Sequence, residues 1–85
     1  MYYVYFLKSL KNNSRYIGST SDLKERVKRH NAGFGGRYSS INKPFKLVYY
    51  EAYLDKRDAL AAEKFYKTGF GREAIKSRLK FSVEK

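Results

Sequence analysis

Cysteine is absent from this 85-residue sequence, histidine and proline occur once each, and acidic residues number 8 against 19 lysines and arginines. Without cysteine there is no disulfide framework, thiolate zinc site, iron–sulfur cluster or thiol nucleophile, and the chain is indifferent to redox compartment. A cytoplasmic location is the expectation. One histidine cannot supply the paired ligands of an H-E-x-x-H site or of a His-Asn-His nuclease, so a metal is expected to be held by oxygen, which points to magnesium or manganese. The longest apolar run, Met1 to Leu7, falls far short of the ~20 residues of a membrane span, and no basic segment leading into an apolar stretch and cleavage site opens the sequence. A soluble protein without an export signal is expected.

What is present is aromatic and basic. Nine tyrosines and six phenylalanines raise the aromatic share to 18% and the hydrophobic share to 42%, enough to fill the core of a single domain over residues 1–85. That core is small, since a chain of this size removes only roughly 60–65% of its unfolded surface from water. The net charge of +11 makes an anionic partner the natural match for the fold, nucleic acid first and a membrane surface second.

Tyr2-Tyr3-Val4-Tyr5-Phe6-Leu7 is aromatic and β-branched throughout, the pattern of a strand covered on both faces and therefore central in its sheet. Ser9 to Ser14 is polar and Asn12-Asn13 tolerates left-handed backbone angles, so the chain turns there and returns through Arg15-Tyr16-Ile17-Gly18 as a hairpin. Asp22 followed by Glu25 has capping-box spacing and opens a helix expected over about residues 22–31. Asn31-Ala32-Gly33 closes it, and Phe34 to Ser40 is expected as an exposed loop leading to Pro44. Phe45 to Tyr53 reads as a third strand. Asp55 caps a helix with its body over Ala59 to Lys67, Gly69 and Gly71 break it, and a short helix from about Arg72 to Leu79 precedes a basic tail. The expected class is α/β in the sense of an α+β sandwich, a small three-stranded antiparallel sheet flanked by helices in the order ββαβαα.

On the first helix, Leu23, Arg26, Val27 and His30 share one face, with Lys24, Glu25, Lys28 and Arg29 opposite. Arg26 and His30 interrupt an apolar stripe. A guanidinium there is costly unless it meets an anion, although its stem can pack while the charge reaches water. His30 suits either a satisfied core position or a proton-handling one. Glu63 stands one turn from Lys67, which allows an ordinary i, i+4 pair as well as a functional carboxylate. Tyr3 and Tyr5 share a strand face, Tyr16 joins them if the register allows, and all three also suit an aromatic core. Gly33 to Gly36 lacks the trailing Lys-Ser or Lys-Thr of a phosphate-binding loop and reads as a flexible connection.

Taken together, these residues are more specific than any one of them. Tyr3-Val4-Tyr5, then Tyr16-Ile17-Gly18 on the returning strand, then Arg26 within Asp22-Leu23-Lys24-Glu25-Arg26, resembles the GIY-YIG nuclease family, and the resemblance runs from residue 2 to about residue 68. Glu63 stands where that family carries its metal-binding glutamate. Two positions depart from the pattern. Tyr3 replaces the first glycine, and no Asn follows Asn42, whereas larger members carry one after the glutamate. The short form, with Arg37-Tyr38 after a glycine-rich loop, looks like the small stand-alone members.

The resemblance implies a metal-dependent endonuclease hydrolysing phosphodiester bonds in DNA. Such hydrolysis needs a deprotonated water in line with the scissile bond, charge stabilisation on the phosphoryl oxygens and a stabilised leaving oxygen. The resemblance gives Glu63 a magnesium or manganese ion and makes Tyr5 or Tyr16 the general base. The planar, permanently charged Arg26 suits the phosphoryl charge, and His30 is placed to assist the base or orient a phosphate. Lys24, Lys28, Arg29, Arg37, Tyr38 and Lys67 are the candidate nucleic-acid contacts, with further charge from Arg15, Lys43, Lys64, Arg72, Lys76, Arg78 and Lys80. No zinc-finger, homeodomain or basic-zipper signature is present. DNA structure, branched or single-stranded, is therefore the expected selector rather than sequence, and a protein partner can add specificity. The alternative is a nucleic-acid-binding module with the same fold and little or no hydrolysis. A third reading is a basic accessory protein that binds ribosomal RNA or another protein. Membrane-surface binding is the most remote, because neither helix joins a broad apolar face to a wholly basic one.

Overall fold

Strand β1 (Tyr2–Ser9) lies between β2 (Arg15–Thr20) and β3 (Phe45–Tyr53) in an antiparallel sheet of order β2-β1-β3. The computed structural model describes residues 1–34 and 36–79, with residues 37–39 described by backbone alone. Lys80, Gly35 and the side chains of Arg37 and Tyr38 lie outside the described residues. Four helices complete the chain: α1 (Leu23–Asn31), α2 (Arg37–Asn42), α3 (Lys56–Tyr66) and α4 (Gly69–Arg78). No helix among the described residues is long and apolar enough to cross a membrane.

The aromatic run of β1 is central because both of its faces are covered. Val4 and Phe6 point to one side, where they pack with Ala59, Ile75 and Leu79 of the α3 and α4 layer. Tyr5 and Leu7 point to the other, where Phe45, Tyr16, Leu23, Val27 and Leu47 surround them beneath α1. Each fully buried side chain of this kind contributes about 1.5–3 kcal/mol, so truncating Phe6, which is 0% exposed, removes a large part of a small core. The hairpin closes as the asparagines suggest. Asn13 takes φ 63°, its N–H bonds to the Ser9 carbonyl at 2.9 Å, and the Ser14 N–H bonds to the Asn12 side chain at 3.1 Å. Asp22 caps α1 by accepting from the Glu25 N–H at 3.1 Å, and Asp55 caps α3 through the Arg57 N–H at 2.8 Å.

The antiparallel sandwich is as expected, and two local features differ. From Arg37 to Asn42 the expected exposed loop is the short helix α2, which makes the order ββααβαα. Its stabilisation comes from afar. The Ser9 hydroxyl donates to the Asn42 carbonyl at 2.5 Å, the Lys11 ammonium to the Ile41 carbonyl at 3.1 Å and the Asn12 amide to the Asn42 side chain at 2.6 Å. The hairpin turn thus satisfies the last carbonyls of a helix that has no apolar periodicity of its own. The second difference is α4, which begins at Gly69 rather than Arg72. Thr68 caps it, accepting from the Gly71 N–H at 3.1 Å, so both glycines sit in its first turn. A side chain at Gly71 would overlap the Phe65 carbonyl, so this glycine permits α4 to fold back tightly on α3.

Candidate active site

The pairing of β1 with β2 sets the site. Tyr5 is the cross-strand partner of Gly18 and Leu7 of Tyr16, which puts Tyr5, Gly18 and Tyr16 on the α1 face. The phenol of Tyr5 lies over bare backbone: a Cβ on Gly18 would fall 2.6 Å from the Tyr5 oxygen and 2.8 Å from its Cζ. The glycine of Tyr16-Ile17-Gly18 is therefore there for room. Tyr5 is 0% exposed and reaches the Nε2 of His30 at 3.0 Å. His30 is 1% exposed, its ring 4.6 Å from Tyr16, 5.9 Å from Tyr5 and 5.9 Å from Phe45. The intruder on the apolar stripe is thus a core histidine with a phenol on its nitrogen.

Arg26 does not interrupt the buried stripe. Leu23 and Val27 are half-buried and His30 is buried, while Arg26 is exposed at the edge of α1. Its positive charge acts on the Tyr5 hydroxyl and favours the ionised phenol. It also lines a cavity of about 240 Å³ with Ser19, Thr20 and Ser21 of the β2 end and Lys56, Ala59 and Leu60 of α3. Glu63 comes from the opposite face. Ser19, one residue past Gly18, faces α3 and donates its hydroxyl to Glu63 Oε1 at 2.6 Å, while Lys67 reaches Oε2 at 2.8 Å. Ser19, at the end of the edge strand β2, thus borders Arg26 from one face and Glu63 from the other. The Tyr5 hydroxyl accordingly experiences Arg26 and Glu63 together.

The electrostatics follow from burial. Desolvation, then the neighbouring Tyr16, push the Tyr5 phenol well above its usual value, Arg26 opposes the shift, and Glu63 adds to it. Burial, reinforced by Arg26, lowers His30 below its ordinary 6.5, so the imidazole is neutral at pH 7. For Glu63, burial alone would raise the carboxyl, but the Lys67 and Ser19 hydrogen bonds prevail and keep it ionised.

Among the described residues no group of three or more His, Asp and Glu side chains could hold a metal. A single ionised carboxylate already facing a cation suits magnesium or manganese, which keep several waters and need one or two protein carboxylates. Lys24, Lys28 and Arg29 are exposed on α1, whereas Lys67 is engaged by Glu63. The structure thus brings Tyr5, Tyr16, Arg26 and His30 together and sets Glu63 within electrostatic reach of Tyr5. Sequence reasoning missed Ser19 as the residue that fixes Glu63. Strand alternation puts Ser19 on the face opposite Gly18, but no local signal ties it to a carboxylate on a distant helix.

Comparison with known proteins agrees with this geometry. The model of the GIY-YIG catalytic domain matches residues 1–76. The UPF0213 protein YazA of Bacillus subtilis is 40% identical over 63 residues, covering 74% of this chain and 64% of YazA, so the matched stretch spans just under two thirds of that relative. A UPF0213 protein of Lacticaseibacillus paracasei is 46% identical over 66 residues, covering 78% of this chain and 73% of its own. The solution NMR structure of the UPF0213 protein BH0048 from Bacillus halodurans superposes with a TM-score of 0.54 at 35% identity, covering 91% of this chain and 84% of that one. With the motif tyrosines, Gly18 and Arg26 placed as described, this chain belongs to the GIY-YIG family.

Proposed function

We propose that the protein is a metal-dependent endonuclease that hydrolyses phosphodiester bonds in DNA and selects its substrate by structure rather than sequence. One observation supports this reading above the others: the Tyr5 hydroxyl is hydrogen-bonded to His30 and lies in the fields of both Arg26 and Glu63, groups drawn from two faces of the sheet. A module that only binds nucleic acid, or an accessory protein on ribosomal RNA, has no use for that convergence.

A buried phenol that retains its proton is a poor free base but serves as a relay. With neutral His30 in the tautomer that carries its hydrogen on Nδ1, Tyr5 passes its own hydrogen to Nε2 while taking one from the attacking water, so no free phenolate has to accumulate. Tyr16 packs on His30 and holds the ring in place. Arg26, at the cavity mouth, binds a non-bridging phosphoryl oxygen with a planar, permanently charged fork. Glu63, oriented by Ser19, would hold a magnesium or manganese ion, which when bound supplies charge neutralisation at the phosphate and the leaving oxygen. Lys24, Lys28 and Arg29 lie along exposed α1 and take flanking phosphates, contacts that position the strand without reading it.

The test is cleavage of labelled single-stranded, duplex, flapped and junction DNAs with magnesium or manganese by the parent, Arg26→Ala and Glu63→Ala proteins. Metal-dependent cutting by the parent, lost in both variants while binding persists, is the expected result. Equal binding by all three with no cutting on any substrate would leave the binding module as the function.

A further inference from the structure

Toward the N-terminal end of α1, on the face that also carries His30, an open cavity of about 490 Å³ is lined by Tyr3 and Tyr50 of the sheet with Leu23, Val27 and Leu47, and Lys24 borders it. We propose that this cavity receives one unpaired nucleobase of the DNA strand next to the phosphate held at Arg26. The proposal rests on the nuclease reading for the position of that phosphate and adds a substrate class to it: DNA with an unpaired nucleotide beside the cut.

Four observations carry it. Tyr50 is 51% exposed although it is the direct cross-strand partner of the fully buried Tyr5, so α1 covers one ring of this row and leaves the other open. Tyr3 braces it edge-on, ring centroids 6.0 Å apart and planes at 66°, which holds the Tyr50 ring in place as a stacking surface. The walls around that ring are apolar and aromatic, as a stacked base requires, and at the α1 end, where Asp22 is occupied in capping the helix, the exposed Lys24 fits the attached phosphate. Finally, the two cavities are neighbours that share a lining residue. Ser21 borders both this cavity and the one lined by Arg26, and Tyr3 lies about 7 Å along β1 from Tyr5, a step one extended nucleotide can span. A base inside a duplex, stacked on both faces, cannot enter such a cleft.

The experiment is metal-free binding, in EDTA, of a single-stranded oligonucleotide carrying 2-aminopurine, and of its duplex, to the parent, Tyr50→Ala and Tyr50→Phe proteins. Stacking on Tyr50 quenches the probe in the parent and in Tyr50→Phe. Tyr50→Ala is expected to abolish the quenching and weaken single-strand binding about five- to fiftyfold, with duplex affinity and the salt dependence unchanged. Unquenched probe in the parent, or equal single-strand affinity for the parent and Tyr50→Ala, overturns the proposal, as does an equal loss on single strand and duplex. Because no metal is present and Tyr50 has no part in the relay, this result is independent of whether the protein cuts. Cutting without a Tyr50 effect rejects the base site alone, and quenching without cutting rejects the nuclease alone.

Discussion

The Lys67 ammonium sits 2.8 Å from Oε2 of Glu63, one helical turn away, while the Ser19 hydroxyl holds Oε1 at 2.6 Å. The lysine thus occupies a carboxylate oxygen for which a divalent cation bound at Glu63 would compete. A half-exposed ion pair of this type contributes ~0.5–1 kcal/mol, so Lys67→Met is expected to tighten manganese binding about two- to fivefold in titrations followed by electron paramagnetic resonance. Weaker manganese binding by Lys67→Met would mean that the lysine supports the site instead of competing for it.

His30 is expected to set the acid limit of the site. The groups facing it are Tyr5 and Tyr16 from the sheet, Arg26 from its own helix and the Phe45 ring. Its folded pKa lies below the ordinary 6.5, so the unfolded chain binds the proton more readily. The stability it contributes is fully present above pH 6.5 and is lost as pH falls from there through the lowered value. In the proposed relay, protonation also removes the Nε2 acceptor for the Tyr5 hydrogen. Cleavage and melting temperature are both expected to fall below pH 6.5, and His30→Gln to lose the acid limb of the rate profile along with most of the rate. An acid limb unchanged in that variant would assign it to another group.

Gly18→Ala tests the room made for Tyr5. The new methyl would sit 2.6 Å from the phenolic oxygen, so the ring must leave His30 or β2 must bend. Overpacking of this kind costs about 1–3 kcal/mol. The expected outcome is a folded, destabilised protein by urea titration that binds DNA as the parent does and cleaves at least ~100-fold more slowly, the size of a lost proton-transfer group. Full activity in Gly18→Ala would remove Tyr5 from the chemistry.

Away from this cluster, Glu51 accepts the hydroxyls of Tyr49 at 2.7 Å and of Tyr53 and Tyr66 at 2.5 Å, tying α3 to β3. Burial alone would raise its pKa, but Tyr53, Tyr66, Tyr49 and the Arg78 charge outweigh that and lower it. Hydrogen bonds to a charged group are worth more than neutral ones, and Glu51→Ala is expected to cost about 2–4 kcal/mol in urea unfolding. The carboxylate's share is present above pH 4.5 and is lost as pH falls through its lowered value. The tyrosines set the alkaline limit. Their bond to Glu51 pushes Tyr53 up from 10.0 to about 12, so its contribution is complete below pH 10 and is lost between there and about pH 12, a transition that phenolate absorbance follows directly.

The parts of the fold that were legible in the sequence are those with a local cause. The unbroken aromatic run of β1, the Asp22 cap and the period-2 pairing of Tyr3 with Tyr5 each depend on neighbours a few residues away. What escaped is tertiary. Helix α2 depends on donors from the β1–β2 turn, and the early start of α4 depends on a Thr68 cap and on Gly71 lying against Phe65. Arg26 and Glu63 could be picked out as chemically conspicuous residues. That both border Ser19 at the end of an edge strand, with Ser19 and Lys67 holding the carboxylate, follows from sheet order and helix placement, which no local pattern contains.

The central claim is that Arg26 and Glu63, from opposite faces of the sheet, serve one phosphate. Single-turnover cleavage of a labelled oligonucleotide with saturating manganese by the parent, Arg26→Ala, Glu63→Gln and the double variant tests it directly. Groups that act as a unit are strongly non-additive. Each single substitution is expected to lower the rate by about 10²–10⁴-fold, the span of a lost charge-stabilising group, and the double variant to be hardly slower than the worse single one. A double variant whose loss equals the product of the two single losses, or a parent that does not cut at all, would contradict the account.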